Sequence, residues 1–133
     1  MHITLEADYA VRIVDCLSTQ SARLDAGKIA EQTGVTPRFT LKILHKLVSS
    51  GIVRSYKGSK GGYELAREAG EITLREVIET VEGTYTFSRC LDPAHICNCK
   101  TQVCRRGNCR FQRAYDEISE IVRAKLDETT FAG

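Results

Sequence analysis

The sequence of 133 residues predicts a mainly α-helical fold that carries one small β-hairpin. Three observations predict it. Apolar residues recur at three- and four-residue steps along most of the chain. Two short β-prone runs flank the glycine-rich stretch Lys57-Gly58-Ser59-Lys60-Gly61-Gly62. A strong apolar stripe closes the chain from Asn108 onward. With 42% hydrophobic and 27% charged residues, the composition is that of a globular protein. No apolar stretch approaches the roughly twenty residues needed to span a bilayer, so no membrane partner is expected.

Leu5, Tyr9, Ile13, Cys16 and Leu17 define a first amphipathic helix with Cys16 on its buried stripe, where a thiol is a small core residue. A short second helix follows Asp25, carries Ile29 and Ala30, and stops at Gly34, where glycine tolerates a left-handed backbone cheaply. Thr36-Pro37 starts a third helix with a hydroxyl cap and a proline at the first helical position. Phe39, Ile43, Leu44, Leu47 and Val48 fall on one side of it, Arg38, Lys42, His45 and Ser49 on another, and Gly51 ends it. Residues 52–56 and 63–66 are the two short strands. Thr73-Leu74-Arg75-Glu76 is a capping box that opens a short acidic helix through Val77, Ile78 and Val81 to Gly83. The closing stripe of Phe111, Ala114, Tyr115, Ile118, Ile121, Val122 and Leu126 predicts a long helix; a partner subunit is its natural cover, and packing back on the first helix is the alternative.

The net charge of +2 says little, but its distribution is uneven. Arg38, Lys42, Lys46, Arg54, Lys57, Lys60 and Arg67 meet only Glu64 between positions 35 and 67, whereas Glu68, Glu71, Glu76, Glu79 and Glu82 then meet only Arg75. A basic block of this kind is a candidate footprint for a polyanion. Two helices joined through Gly34, the second with an apolar back and a basic front, and then a basic hairpin, make the layout of a winged helix-turn-helix. In that layout Arg38, Lys42 and His45 face the major groove of double-stranded DNA. Lys57 and Lys60 at the hairpin tip meet phosphate or the minor groove. The glycine-rich tip is no nucleotide-binding loop, because its glycine and lysine spacing does not match and no helix opens directly after it.

Five of six cysteines, Cys90, Cys97, Cys99, Cys104 and Cys109, crowd into twenty residues. An odd cluster cannot be used up by disulfide pairing alone. Glu6, Asp8 and Arg12 interrupt the apolar core that a signal peptide needs, so a reducing, cytoplasmic setting is expected, with metal or redox chemistry for the thiols. Three chemistries stay open: an iron–sulfur cluster, a zinc site closed through the Cys-x-Cys and Cys-x4-Cys spacings, and a thiol–disulfide switch. No nucleophile, base and orienting group are legible together, so an enzyme is not expected. The chain divides into a DNA-binding part at residues 1–83, a cysteine-rich loop at 84–108, and a dimerisation helix with tail at 109–133.

Taken in order, Asp8-Tyr9-Ala10-Val11-Arg12, Ile29-Ala30-Glu31, Leu41-Lys42-Ile43-Leu44, Lys57-Gly58 and Gly61-Gly62-Tyr63-Glu64-Leu65 resemble a family. It is the family of winged-helix regulators that includes the iron–sulfur assembly regulator IscR, the nitric-oxide-responsive repressor NsrR and the rhizobial iron regulator RirA. The resemblance covers essentially the whole chain. It implies a transcriptional regulator, a homodimer on palindromic DNA, and three loop cysteines holding an iron–sulfur cluster that senses cluster status, redox state or nitric oxide. Matched position by position, those ligands are Cys90, Cys104 and Cys109, while Cys97 and Cys99 lie in what resembles an insertion, able to replace Cys90 or Cys104. Two-iron relatives place a histidine where this chain has Gln112. Relatives of the nitric-oxide type use an aspartate of the partner's first helix, and Asp8 stands at that position, with His95 as the rival fourth ligand. Three thiolates and a carboxylate suit a four-iron cluster over a two-iron one; zinc remains the alternative metal.

Overall fold

The structure, a computed structural model, describes residues 2–20, 22–94 and 109–133. It comprises two compact units, one of residues 1–83 with 127–133 and one of residues 84–126. The described elements are mainly helical, with a single two-stranded sheet among them.

In the first unit, α1 (Leu5–Ser18) starts where the Thr4 hydroxyl accepts the Ala7 amide at 3.1 Å. Its buried face is Ala7, Ala10, Ile13, Val14 and Leu17. Leu5, expected on that stripe, is instead 60% exposed. It occupies the first helical position, and the alanines that replace it on the inner face are too small to stand out in a hydropathy pattern but let α1 approach its neighbours closely. α2 (Ala26–Thr33) is capped by Asp25, which accepts the Lys28 amide at 2.8 Å, and ends at Gly34 with φ of 73°. α3 (Pro37–Ser49) is capped by Thr36, which accepts the Phe39 amide. Ile43, Leu44 and Leu47 of α3 are fully buried, together with Ile13, Val14, Ile29, Ile52, Ile72 and Val77. Each such side chain contributes about 1.5–3 kcal/mol by leaving water. Phe39, also expected inside, is 36% exposed and packs edge-on against Tyr9 at 5.6 Å between ring centres, at the margin of the core.

Strands β1 (Val53–Tyr56) and β2 (Gly62–Leu65) pair antiparallel, Val53 opposite Leu65 and Tyr56 opposite Gly62. The segment before α2 adds a rung on the other side of β2: Leu24 and Tyr63 exchange both backbone hydrogen bonds, at 2.8 and 3.1 Å. This rung explains one glycine. At Gly62, φ is 136° and a side-chain carbon would stand 2.8 Å from the Leu24 carbonyl oxygen, so only glycine lets the two backbones meet.

α4 (Leu74–Glu82) begins as expected with the Thr73 hydroxyl accepting the Glu76 amide. The Glu76 carboxylate takes Arg67 as its ion-pair partner. The chain end returns to this region. Thr129 accepts the Leu74 amide at 2.8 Å, the Phe131 amide reaches the Ala69 and Ile72 carbonyls, and the Phe131 ring packs on the core. Arg75 is held by Glu79 and Asp127, each at 2.7 Å.

The second unit is built on α5 (Arg110–Glu128), which belongs to it as far as Leu126. The segment after Thr84 is fastened along this helix at three points. Arg123 donates to the Tyr85 carbonyl at 2.6 Å, Ser119 accepts the Phe87 amide at 2.8 Å, and Gln112 donates to the Cys90 carbonyl at 3.0 Å. Phe87 and Tyr115 stack in a tilted arrangement at 5.4 Å.

Candidate functional site

The basic surface is set by how α3 is loaded. Burying Ile43, Leu44 and Leu47 leaves Arg38, Lys42 and His45 exposed on the outer side of the same helix. Lys57 and Lys60 are exposed at the hairpin tip, where the Gly61 amide closes a turn onto the Gly58 carbonyl at 2.9 Å. All five residues expected to meet DNA thus lie on the first unit. Their field is damped at one edge. Glu6 of α1 pairs with Lys46 at 2.6 Å and approaches Lys42 at 3.8 Å, so Lys42 is the less neutralised of the two.

One side chain packed against the hairpin, Arg23, escaped the sequence reading. Arg23 lies 3.2 Å from the centre of the Tyr56 ring, 3.7 Å from a Glu64 carboxylate oxygen, and donates to the Lys60 carbonyl at 3.4 Å. The Tyr56 hydroxyl in turn donates to Glu64 at 2.6 Å. No local pattern announces Arg23. Only the pairing of Leu24 with Tyr63 brings it there.

Of the cysteine segment, Cys90 and Cys109 are described and both are half-buried. Cys90 sits in a short 3-10 turn, Arg89–Leu91, whose start is capped by Ser88. The Gln112 bond to its carbonyl places it beside the first turn of α5. Cys109 immediately precedes that turn, its carbonyl accepting the Arg113 amide at 3.1 Å. The Cys90 backbone is thus tied to the first turn of the helix that Cys109 precedes, and the positive end of a helix suits an anionic ligand. Cys97, Cys99, Cys104 and His95 lie outside the described residues. Among the described residues no three histidine, cysteine or acidic side chains gather into a metal-binding group.

The Gln112 side-chain amide nitrogen donates to the Cys90 carbonyl, which gives this residue a part in holding the segment that carries Cys90. Asp8 is half-buried on α1 and forms an ion pair with Arg12 at 2.9 Å through one of its two carboxylate oxygens. Cys16, expected in the core, is at its margin, with its thiol donating to Gln32 at 3.4 Å. Burial first, and the Asp15 carboxylate second, push that thiol up, which disfavours its thiolate.

A helix with a buried apolar face and an exposed basic face, joined to a basic hairpin, defines a protein of the winged helix-turn-helix class. The particular family follows from comparison with known proteins. The chain matches the Rrf2 family model, described as iron-dependent transcriptional regulator, over residues 3–133, and it belongs to that family. Protein aau3 of Rhizobium meliloti (strain 1021) is 33% identical over 97 residues, which are 72% of this chain and 63% of that protein. The HTH-type transcriptional regulator IscR of Cronobacter sakazakii is 32% identical over 92 residues, 68% of this chain and 57% of that protein. The chain thus spans less than two thirds of the length of these curated relatives. Among solved structures, T. potens IscR superposes with a TM-score of 0.75 at 22% identity, covering 99% of this chain and 84% of that one. CymR, the global cysteine regulator of B. subtilis, superposes with a TM-score of 0.70 at 22% identity, covering 98% of this chain and 93% of that one. At such identities the structures speak for the fold, a mainly helical winged helix. The relatives named by role are transcriptional regulators and not enzymes. No helix among the described residues is long and apolar enough to cross a membrane.

Proposed function

We propose that this chain is a DNA-binding regulator that reads a palindromic operator as a homodimer and is switched by an iron–sulfur cluster. One observation carries the DNA half: Arg38, Lys42 and His45 share an exposed helix face while Lys57 and Lys60 project from the hairpin of the same unit. The helix offers side chains to base edges and the hairpin offers charge to the backbone. The dimer reading rests on α5, where Phe111 and Ile121 are 54% and 70% exposed and Ile118 lies near them on the helix face. An apolar stripe of that kind gains by burial against a second copy.

The cluster half rests on donor chemistry. Cys90 and Cys109 would hold iron with Cys104, and Asp8 of a partner subunit would offer an oxygen as the fourth ligand. Thiolates are the donors that iron–sulfur clusters take, and the cluster supplies a redox-sensitive, gain-or-loss signal. What this chain adds is a route for the signal. Cys109 directly precedes α5, and after α5 the Thr129 carbonyl accepts the Leu74 amide at the start of α4 while the Phe131 amide donates to the Ala69 and Ile72 carbonyls before it. The chain passes from Cys109 through α5 to residues 127–133 of the unit that bears α3 and the hairpin, and this covalent path is the route by which a change at the cysteines would act.

The DNA half is tested by selecting duplexes from a random library with the purified chain. One palindromic sequence should emerge, bound by a dimer in sedimentation. Recovery of no sequence above background would overturn the reading.

A further inference from the structure

We propose that Arg23 is a positioning residue for DNA binding: its guanidinium fastens the hairpin so that Lys57 and Lys60 are presented in a fixed direction. The inference rests on the DNA-binding reading above and adds a residue to it.

Arg23 stands outside the basic block, on the segment between α1 and α2, yet three of its contacts are made to the hairpin. Its guanidinium stacks on Tyr56, the last residue of β1, and pairs with Glu64 in the middle of β2. It also donates to the carbonyl of Lys60, one of the two tip lysines. One planar group thus touches both strands and the tip. Its own anchorage is firm, because the next residue, Leu24, exchanges two backbone hydrogen bonds with Tyr63. Glu64 is a relay in the same clamp, since it also accepts the Tyr56 hydroxyl.

Stability is not what this arrangement supplies. The Arg23 and Glu64 side chains are 39% and 37% exposed and 3.7 Å apart, a geometry in which ion pairs contribute little. What it supplies is direction. A two-stranded hairpin joined by a glycine-rich tip has no stiffness of its own, and a charge that must meet a phosphate loses affinity when it wanders. Arginine suits the task where lysine does not, because only a flat guanidinium stacks on the ring while its edge reaches a carboxylate and a carbonyl.

Two measurements test the clamp. In the free protein, hydrogen exchange of the Gly61 amide, which closes the tip, should speed up several-fold in Arg23→Lys and in Arg23→Ala while the melting temperature holds. An unchanged Gly61 amide in both variants would overturn the clamp, whether or not DNA is bound. On the selected duplex, both Arg23 variants should bind about five- to tenfold more weakly and lose hydroxyl-radical protection at the flanks while keeping it over the major-groove contacts. Glu64→Gln separates clamp from charge. Removing a carboxylate near DNA should tighten binding on charge alone, and Glu6→Gln beside Lys42 should do so. Glu64→Gln should weaken it. Tighter binding by Glu64→Gln, or parental affinity in Arg23→Lys with loss only in Arg23→Ala, would make Arg23 an ordinary phosphate contact and overturn the proposal.

Discussion

Replacing Ser119 by alanine should loosen the segment that carries Cys90 without unfolding the rest of the chain. Ser119 is fully buried on α5; its hydroxyl donates to the Tyr115 carbonyl at 2.7 Å and accepts the Phe87 amide at 2.8 Å. Alanine keeps the helix, and the Tyr115 carbonyl keeps its place in it. The Phe87 amide, in contrast, loses its acceptor in a place that water does not reach freely. Stranding a buried donor in this way costs about 1–3 kcal/mol. Exchange of the Phe87 amide with solvent deuterium should therefore accelerate by roughly 5- to 150-fold. The Ile52 amide, bonded to Leu47 in the other unit, is the internal reference and should keep its parental rate. A Phe87 amide that exchanges as slowly in the variant as in the parent would refute the role given to this serine. Ser119→Thr, which restores a hydroxyl, should recover much of the protection.

Three further outcomes follow from other contacts. Lys57→Ala should weaken operator binding and lower the slope of log affinity against log salt by about 1, as expected for one lost phosphate contact; an unchanged slope would count against the hairpin assignment. Thr40 is fully buried and its hydroxyl finds no partner among the described residues, so Thr40→Val should raise stability by about 1 kcal/mol in urea unfolding; a lower midpoint would show that the hydroxyl is satisfied. Phe131→Ala removes a half-buried ring packed on the first unit's core and should cost about 1–2 kcal/mol, read as a lower melting temperature; an unshifted one would mean that the tail is not fastened there.

Where the fold is governed by neighbours in the chain, it was legible in advance. Asp25, Gly34, Thr36 with Pro37, and Thr73 all act on amides or torsions within a turn of themselves, and each behaves as its residue type implies. The face of α3 was legible for a related reason, since the same period that buries Ile43, Leu44 and Leu47 exposes Arg38, Lys42 and His45.

What escaped depends on contacts far apart in sequence. Arg23 meets Tyr56 across 33 positions only because Leu24 pairs with Tyr63. Ser119 lies inside an apolar stripe, where a small polar residue gives no hint that a distant amide needs it. Gln112 attracted notice only as a weak metal ligand, whereas it holds the Cys90 backbone. The tail showed no pattern of its own in the sequence, yet Thr129 and Phe131 bond to residues 69–74 of the first unit. In the cysteine segment the density of thiols was plain from the sequence. Of the ligands proposed, Cys90, Cys109 and Asp8 have described positions, while Cys104 lies outside the described residues.

The most direct test couples metal to DNA in one preparation. The protein is purified without oxygen, analysed for iron, sulfide and zinc, and titrated against the selected operator before and after the metal is removed; Cys90→Ala, Cys104→Ala and Cys109→Ala are treated alike. The expected result is a brown protein holding iron and sulfide, an operator affinity that shifts by an order of magnitude or more on removal, and loss of both colour and shift in each cysteine variant. A colourless protein with stoichiometric zinc, or an operator affinity indifferent to the metal, would contradict the cluster-controlled switch.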